Sequence, residues 1–220
     1  MNEFIRIERL FCSLNKVQVL RNINMTLNSK EFVSIIGPNG SGKTTLGKVI
    51  TGIIKQDSGE IFIDNKNIKD LSLPEIGRKI GYLFQNPDRQ IFASTVYEEL
   101  SFALKYKKTS IDIIEKRVGE ILDIFELNHL RDASTYSLSQ GEKQRLAIGA
   151  ILLNDPEYLI LDEPTTGLDP KRKNELSKLL NSLINHVGIL LISHDKAFVL
   201  KHSDRIIELY DGSLKNDKKN

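Results

Sequence analysis

The stretch "IGPNGSGKTT" at residues 36–45 holds three glycines within six positions, followed by a lysine and two threonines. Glycine loses more backbone freedom on folding than any other residue, so this density indicates a loop with an unusual backbone path. The run "EFVSIIG" before it is typical of a β-strand, and "TTLGKVITGII" after it indicates a helix. A glycine loop between a strand and a helix start is a setting in which backbone N–H groups bind phosphate.

The segment "GPNGSGKT" at 37–44 also matches the P-loop pattern of Gly, four residues, Gly, Lys and Ser or Thr. Lys43 would then reach the β- and γ-phosphates of a nucleotide, and Thr44 would place its hydroxyl on Mg²⁺. The alternative is a glycine-rich turn that binds nothing, which the strand before it and the helix after it disfavour. The predicted nucleotide-binding residues are Gly37, Pro38, Asn39, Gly40, Ser41, Gly42, Lys43, Thr44 and Thr45.

The composition is that of an ordinary globular protein without a strong charge. The 220 residues carry 31 basic and 29 acidic side chains, a net charge of +2, which gives no electrostatic reason to expect a nucleic-acid partner. Cys12 is the only cysteine, so an internal disulfide is excluded and a reducing compartment is expected. The N-terminus does not resemble a signal peptide, and the apolar runs are too short for a membrane span.

Strand-like and helix-like runs alternate along the chain, which predicts a largely parallel α/β sheet. The runs "YLIL" and "GILLIS" are almost continuously apolar, as buried parallel strands are. A helical lobe is predicted between residue 85 and about residue 150, where "LSQGEKQRLAIGAILL" starts a helix with Ser139 as its cap. The tail "KNDKKN" is expected to be frayed and solvated.

Two acidic residues follow the apolar strand in "YLILDEP". Asp162 falls at the carboxyl end of that strand, where α/β sheets bind ligands, and it would orient Mg²⁺ through water. Glu163 would polarise the attacking water as a general base. Taken alone, the pair could equally be two solvated carboxylates. The glycine loop upstream favours the catalytic interpretation.

A histidine ends a further strand in "LLISHD". His194 at this exit could hydrogen-bond the γ-phosphate and the attacking water. The alternative is a surface histidine in a loop. His129, His186 and His202 have no comparable position, and we expect them at the surface.

Together these residues resemble ATP-binding cassette (ABC) ATPases. "LSQGE" at 138–142 resembles the signature LSGGQ and "GLDP" at 167–170 the D-loop, while Gln85 matches the Q-loop glutamine and His194 the switch histidine. The resemblance covers nearly the whole chain. It implies a RecA-like P-loop core with an N-terminal antiparallel β-subdomain at 1–84 and 151–220, and an inserted helical subdomain at 85–150.

The resemblance also implies an ATPase that uses ATP and Mg²⁺. Two cassettes, identical or paralogous, pack head to tail, and the signature of each faces the P-loop nucleotide of the other. In this arrangement Ser139, Gly141 and Asp169 contact nucleotide, and Gln85 serves Mg²⁺ and catalysis beside Glu163 and His194. Gln140 and Glu142 depart from the consensus, but the phosphate-contacting Ser139 and Gly141 are retained.

The segment "GYLFQNPDRQIFASTVYEELSFAL" at 81–104 is similar to the ATPase subunits of energy-coupling-factor importers of B vitamins, cobalt or nickel. This similarity implies a groove that grips an integral membrane permease at the cytoplasmic face of the cell membrane. The alternative is that Ile91, Phe92 and Val96 simply fill the core of the helical lobe. Energy-coupling-factor ATPases often carry a further C-terminal domain, whereas this chain stops soon after "RIIELYDGSL".

The sequence disfavours several other functions within the family and outside it. A repair ABC protein would need a long coiled coil between P-loop and signature, for which this sequence has no room. A translation-type member would need two cassettes, whereas the sequence shows the motifs of one. A P-loop kinase would lack "LSQGE" and "ILDEP". An importer or exporter of another class is the closest alternative. The transported substrate is chosen by other subunits, so the chain does not name it.

The base-stacking residue is also missing from its expected place. The aromatic that ABC ATPases stack on adenine would fall near Leu14, and Phe11, three residues earlier, would face the opposite side of a strand. We therefore expect Phe11 to pack in the β-subdomain.

Overall fold

The computed structural model describes residues 2–184 and 186–220 and contains ten strands and seven α-helices within them. The strands are β1 (Glu3–Leu14), β2 (Val17–Asn28), β3 (Phe32–Ile36), β4 (Ser58–Ile63), β5 (Lys66–Asn67), β6 (Ile80–Leu83), β7 (Tyr158–Asp162), β8 (Gly188–Ile192), β9 (Arg205–Tyr210) and β10 (Ser213–Lys219). The helices are α1 (Lys43–Ile50), α2 (Leu73–Lys79), α3 (Val96–Tyr106), α4 (Ile111–Ile124), α5 (Gln140–Leu152), α6 (Pro170–Leu183) and α7 (Lys196–His202).

The smaller sheet is antiparallel, with strand order β2–β1–β4–β5. A two-residue turn joins β1 to β2, and Asn15 and Lys16 there have φ of 49° and 68°. Positive φ at both central positions is the hairpin geometry that matches the twist of the strands. Along β1, Ile5 and Ile7 are buried while Arg6 and Glu8 are partly exposed, which is the alternation of a sheet with one covered face.

The larger sheet has the order β10–β9–β3–β8–β7–β6. Five of these strands, β9, β3, β8, β7 and β6, run parallel to one another. The edge strand β10 is antiparallel to β9. Residues of β7 and β8 alternate between two apolar clusters, one on each face of the sheet. One cluster packs against α1 and the small sheet, and the other packs against α3 to α7. Both faces are thus covered. The carboxyl ends of β3, β6, β7 and β8 share one edge, where a ligand site is expected.

Three helices separate two strands that are neighbours in this sheet. The chain leaves β6, forms α3, α4 and α5, and returns as β7 beside β6. One face of α4 is buried, with Ile114, Val118, Ile121 and the capping residue Phe125 in one cluster. The predicted α/β architecture with an N-terminal antiparallel sheet is therefore confirmed. The boundaries of the helical subdomain, at 84/85 and 150/151, stay a prediction.

Two expectations about the surface were wrong. The C-terminal tail is not frayed, because residues 213–219 form β10 and Asp217 pairs with Arg205 of β9. His202 is only 7% exposed and is held between Ser177 and Asn181 by hydrogen bonds of 2.9 and 3.0 Å. Burial lowers the pKa of His202 below its ordinary value, and the charge of Lys201 adds to that shift.

Candidate functional site

The glycine loop connects β3 to α1 and depends on Gly42 at the helix start. Gly42 has φ of 103°, a conformation that side chains rarely adopt, and an added Cβ would lie 2.9 Å from Cδ2 of Leu20. The N–H groups in the first turn of α1 have no carbonyl partner within the helix. They face the loop at the positive end of the helix dipole, so the sequence folds into an anion-binding geometry here.

Two polar side chains inside this loop fit a phosphate group. Lys43 is 6% exposed, and its Nζ donates to the carbonyls of Gly37 and Pro38 at 2.9 and 3.0 Å. Ser41 Oγ is buried and has no hydrogen-bond partner within 2–184 and 186–220. Buried polar atoms are nearly always paired, so an unpartnered hydroxyl beside a buried ammonium is suited to an oxygen-rich anion.

Asp162 ends β7 and binds the loop across the sheet edge. It is 1% exposed, and Thr44 Oγ1 donates to its Oδ1 at 2.9 Å. Tyr82 of β6 donates its hydroxyl to the other oxygen, Oδ2, at 2.9 Å. Burial raises the pKa of Asp162 above its ordinary value, and the two hydrogen bonds oppose that rise because they favour the carboxylate. A hydroxyl and a carboxylate are oxygen ligands of the kind Mg²⁺ prefers.

Glu163 and His194 form a second pair at the same edge. Glu163 Oε2 lies 2.7 Å from Nδ1 of His194, and the Glu163 side chain is 8% exposed against 61% for His194. Glu163 has φ of 52° although it is not glycine, and its backbone N–H is bonded to the carbonyl of Ile192 at 2.8 Å. Such a conformation is costly and concentrates at functional sites. A nearly buried carboxylate is thus paired with an exposed imidazole at this edge.

Gln85 and Asp169 lie outside this hydrogen-bonded group. Gln85 follows the end of β6 by two residues and is exposed, and its side chain has no hydrogen bond with any described residue. Asp169 caps α6 by accepting from the N–H of Arg172 at 2.9 Å. Both residues are therefore at the expected ends of their elements, and no hydrogen bond or ion pair among the described residues joins either of them to Asp162 or Glu163.

The signature segment begins helix α5. Ser139 caps it and exchanges hydrogen bonds with Glu142, whose Oε2 accepts from Ser139 Oγ and N at 2.7 Å each. The bond from Ser139 lowers the pKa of Glu142. Glu142 therefore serves as the acidic member of a capping box, which the sequence "SQGE" could have predicted. The glutamate that stands in place of the consensus glutamine thus has a local structural role.

Gly141 packs against a residue of a different helix. An added Cβ there would lie 2.7 Å from Cδ of Arg172 in α6. Both residues line a cleft of about 430 Å³ between α5 and α6. No hydrogen bond or ion pair within the described part of the chain joins Ser139 or Gly141 to the glycine loop. The fold therefore assembles the loop, Asp162, Glu163 and His194 at one edge, and the signature residues Ser139 and Gly141 are not part of that hydrogen-bonded group.

Three contacts near the site are not predictable from local sequence patterns. Tyr82 lies in an apolar strand and gave no signal of a partner. Lys173 of α6 donates to Asp195 at 2.6 Å, tying α6 to the residue after His194 and lowering the pKa of Asp195. Gln144 of α5 donates to the carbonyl of Pro164, directly after Glu163. These residues connect elements far apart in the chain, which local patterns do not reveal.

No helix among residues 2–184 and 186–220 combines the length and hydropathy that crossing a membrane requires.

Known proteins resemble this chain over most of its length. The family model described as "ABC transporter" matches residues 20–166. A protein of Methanosarcina mazei, named as a candidate ABC transporter ATP-binding protein, is 39% identical over 96% of this chain. The chain covers 36% of that relative's length. A similarly named protein of Pyrococcus horikoshii is 40% identical over 90% of this chain and 76% of its own length.

Solved structures agree with this similarity. The structure of cbiO1 from Clostridium perfringens, described as part of the ABC transporter complex cbiONQ, superposes with a TM-score of 0.91 at 36% identity. That match covers 100% of this chain and 89% of cbiO1. The ATP-binding cassette MJ0796, described as a dimer bound to ADP and Pi, gives a TM-score of 0.88 at 30% identity over 98% of both chains.

Proposed function

The chain belongs to the ABC transporter ATPases, and we propose that it binds Mg²⁺–ATP and hydrolyses it to energise a membrane transporter. The observation that carries this proposal is the hydrogen bond between Thr44 of the glycine loop and Asp162 of β7, at 2.9 Å. It joins a phosphate-binding loop to a buried carboxylate at the ligand-binding edge of the sheet, with the pair of Glu163 and His194 alongside.

We infer the binding roles from this arrangement. Residues 37–45 would surround the phosphates with backbone N–H groups, and Lys43 would exchange the carbonyls of Gly37 and Pro38 for phosphate oxygens. Thr44, Asp162 and Gln85 would hold Mg²⁺, directly or through water. When bound, the ion neutralises charge on the phosphates. Ser41, whose hydroxyl lacks a partner in the described structure, would donate to the same anion.

Hydrolysis then requires a base and a residue that orients it. Glu163 would accept a proton from water as the water oxygen attacks the γ-phosphorus and the bond to the β-phosphate oxygen breaks. His194, at 2.7 Å, would fix the direction of the carboxylate and bind the γ-phosphate. Gln85 would position the water from the end of β6. The low exposure of Glu163 supports this role, because a largely buried base is poorly solvated.

A second cassette would complete the site. We propose that Ser139 and the N-terminus of α5 at Gly141 bind the nucleotide on a partner cassette, identical or paralogous, with Asp169 at the same interface. Within the described residues no hydrogen bond or ion pair joins Ser139 or Gly141 to the glycine loop of the same chain, and this supports a role toward a partner. The dimeric state given for MJ0796 supports it as well.

The transporter we favour is an energy-coupling-factor importer of a vitamin or a transition-metal ion. The segment at 81–104 carries this inference, together with the similarity to cbiO1 from the complex cbiONQ. Phe92 is 60% exposed and packs edge-on against Phe102, which is 50% exposed, with ring centres 4.6 Å apart. Two exposed aromatic rings in contact suit docking to a membrane subunit. The chain would then lie peripherally at the cytoplasmic face of the membrane.

Purification of the native complex through a tag on this chain tests the proposal. We expect the chain in the membrane fraction with an integral membrane subunit and a second cassette, both identified by mass spectrometry. Recovery of another class of permease would retain the ATPase function and reject the energy-coupling-factor assignment. Recovery only from the soluble fraction, in complexes without a membrane protein, would contradict transport itself.

A further inference from the structure

Both oxygens of the Asp162 carboxylate are held by hydroxyl groups from opposite sides. Thr44 donates to Oδ1 and Tyr82 donates to Oδ2, each at 2.9 Å. Thr44 belongs to the glycine loop, whereas Tyr82 lies on the neighbouring strand β6 and is 7% exposed. With only one oxygen bonded, a carboxylate can still rotate about its last torsion. The second hydroxyl removes that freedom.

The ring of Tyr82 is fixed by the helix that follows the glycine loop. Tyr82 pairs with Ile160 across β6 and β7, and a Cβ added to Gly47 of α1 would lie 3.1 Å from Cε2 of Tyr82. Glycine inside a helix costs about 1 kcal/mol relative to alanine. The glycine at 47 lets α1 approach the sheet closely over this ring. The hydroxyl therefore reaches Asp162 from a rigid position rather than from a mobile side chain.

We propose that Tyr82 is a positioning residue that fixes the rotation of the Asp162 carboxylate and thereby sets the Mg²⁺ affinity of the nucleotide site. The inference rests on the proposed function, in which Thr44 and Asp162 hold the ion. Tyr82 itself touches neither the nucleotide nor the ion. It acts as a second-sphere partner, a group whose loss generally weakens metal affinity by about 10- to 100-fold.

The competing interpretation is that Tyr82 is a core residue whose hydroxyl has simply found a partner. Tyr158 provides a matched control, because it lies on the adjacent strand β7, is 0% exposed, and its hydroxyl has no hydrogen-bond partner in the described structure. Tyr82→Phe and Tyr158→Phe both remove one oxygen from a buried ring and retain the ring packing. Only the first change removes a bond to Asp162.

The test is an equilibrium titration of the full chain with fluorescently labelled ADP at a series of free Mg²⁺ concentrations and in EDTA. ADP avoids turnover during the measurement. Mg²⁺ should increase the affinity for ADP, and we expect Tyr82→Phe to raise by about tenfold the Mg²⁺ concentration at which half of this increase is reached. The affinity for ADP in EDTA should be unchanged. Tyr158→Phe should match the wild type. In an Asp162→Asn background, Tyr82→Phe should have no further effect.

Equal Mg²⁺ dependence in the wild type and Tyr82→Phe would overturn the role of Tyr82 while leaving nucleotide binding intact. So would an equal loss of ADP affinity with and without Mg²⁺, or the same shift in Tyr158→Phe, because these are the effects of disturbed packing. An additive effect in the Asp162→Asn background would show that Tyr82 does not act through Asp162. A wild-type chain that does not bind ADP would instead reject the proposed function, and the inference with it.

Discussion

Glu163 and His194 come from the ends of neighbouring strands and meet with Oε2 and Nδ1 at 2.7 Å. The carboxylate is nearly buried and its backbone has the positive φ of 52°, while the imidazole is largely exposed. This pair stands beside the bond between Thr44 and Asp162. The edge of the sheet therefore brings together the glycine loop, the bonded pair of Thr44 and Asp162, and the pair of Glu163 and His194, to which we assign phosphate binding, metal binding and base catalysis.

Lys43→Ala should weaken nucleotide binding. The ammonium is buried, and among the described residues it donates only to the carbonyls of Gly37 and Pro38. Hydrogen bonds to charged groups contribute roughly 1.5–3 kcal/mol, so affinity for ATP should fall by at least about tenfold. Titration with labelled ATP measures this loss of affinity. Lys55→Ala, which removes an exposed lysine, is the control, and equal losses in the two variants would contradict a direct phosphate contact.

Phe92→Asp should separate the ATPase from its membrane partner without unfolding it. Phe92 is 60% exposed, so the charge costs little in the isolated chain but has no partner in an apolar docking groove. We expect retained ATPase activity and a melting temperature near that of the wild type, with loss of the chain from the membrane complex. Leu200→Asp, at 61% exposure on α7, is the control. Retention of the complex in Phe92→Asp would reject docking at this ring.

The sequence left open whether Ile91, Phe92 and Val96 fill the core or serve docking, and the structure shows a different burial for each of the three. Val96 is 0% exposed and fills the core, and Ile91 packs partly against the same cluster, whereas Phe92 does not. Ile91→Asp should therefore lower stability, which makes it a poor probe of docking.

Leu14→Tyr should tighten ATP binding. Val19 and Leu20 of β2 contact Gly42, so the β1–β2 hairpin lies beside the glycine loop, and at its end Leu14 and Val17 are 36% and 66% exposed. Neither offers a ring. Base–aromatic stacking is worth roughly 1–3 kcal/mol in single-stranded nucleic-acid binders, so the variant should gain several-fold in ATP affinity.

The wild type should also discriminate weakly between ATP and GTP, because phosphates are common to both. Competition titrations with the two nucleotides measure this. A strong preference for ATP that Phe11→Ala abolishes would show that Phe11 stacks on the base.

His202 should make the protein less stable in mild acid. Its pKa is lowered in the folded state by burial and by Lys201, so the unfolded chain takes up the proton first as the pH falls. The stability linked to His202 is complete above about pH 6.5, the ordinary value, and declines below it. Urea unfolding at pH 7.5 and 5.5 should show a smaller decline in His202→Gln than in the wild type. His129→Gln, which changes an exposed histidine, should decline like the wild type. Equal declines in all three proteins would contradict this assignment.

Short patterns predicted the parts of the site that lie at strand ends. The apolar run before Asp162 and the glycines before Lys43 both mark a strand that stops at the ligand edge, and the structure has them there. The bond between Tyr82 and Asp162 could not be predicted, because it joins residues 80 positions apart and the strand "IGYL" only indicates burial.

The two wrong expectations have different physical causes. The tail carries almost no apolar residues, and it becomes a strand because the free edge of β9 offers hydrogen-bond partners, which composition does not reveal. His202 is different, because Phe198 lies four residues earlier on the same face of α7 and is buried with it. That spacing was available in the sequence and would have predicted a buried histidine.

The most direct test of the ATPase assignment is phosphate release by the wild type, Glu163→Gln and Glu157→Gln, with ATP binding measured on the same samples. Glu157 precedes β7 at its opposite end and is exposed, so its variant controls for the loss of a carboxylate. General-base catalysis contributes about 10²–10⁴-fold. We expect Glu163→Gln to lose at least about 100-fold in turnover, to bind ATP as the wild type does, and to accumulate as an ATP-bound dimer in size-exclusion chromatography. Turnover in Glu163→Gln close to that of the wild type would contradict the assignment of Glu163 as the base and, with it, the proposed site.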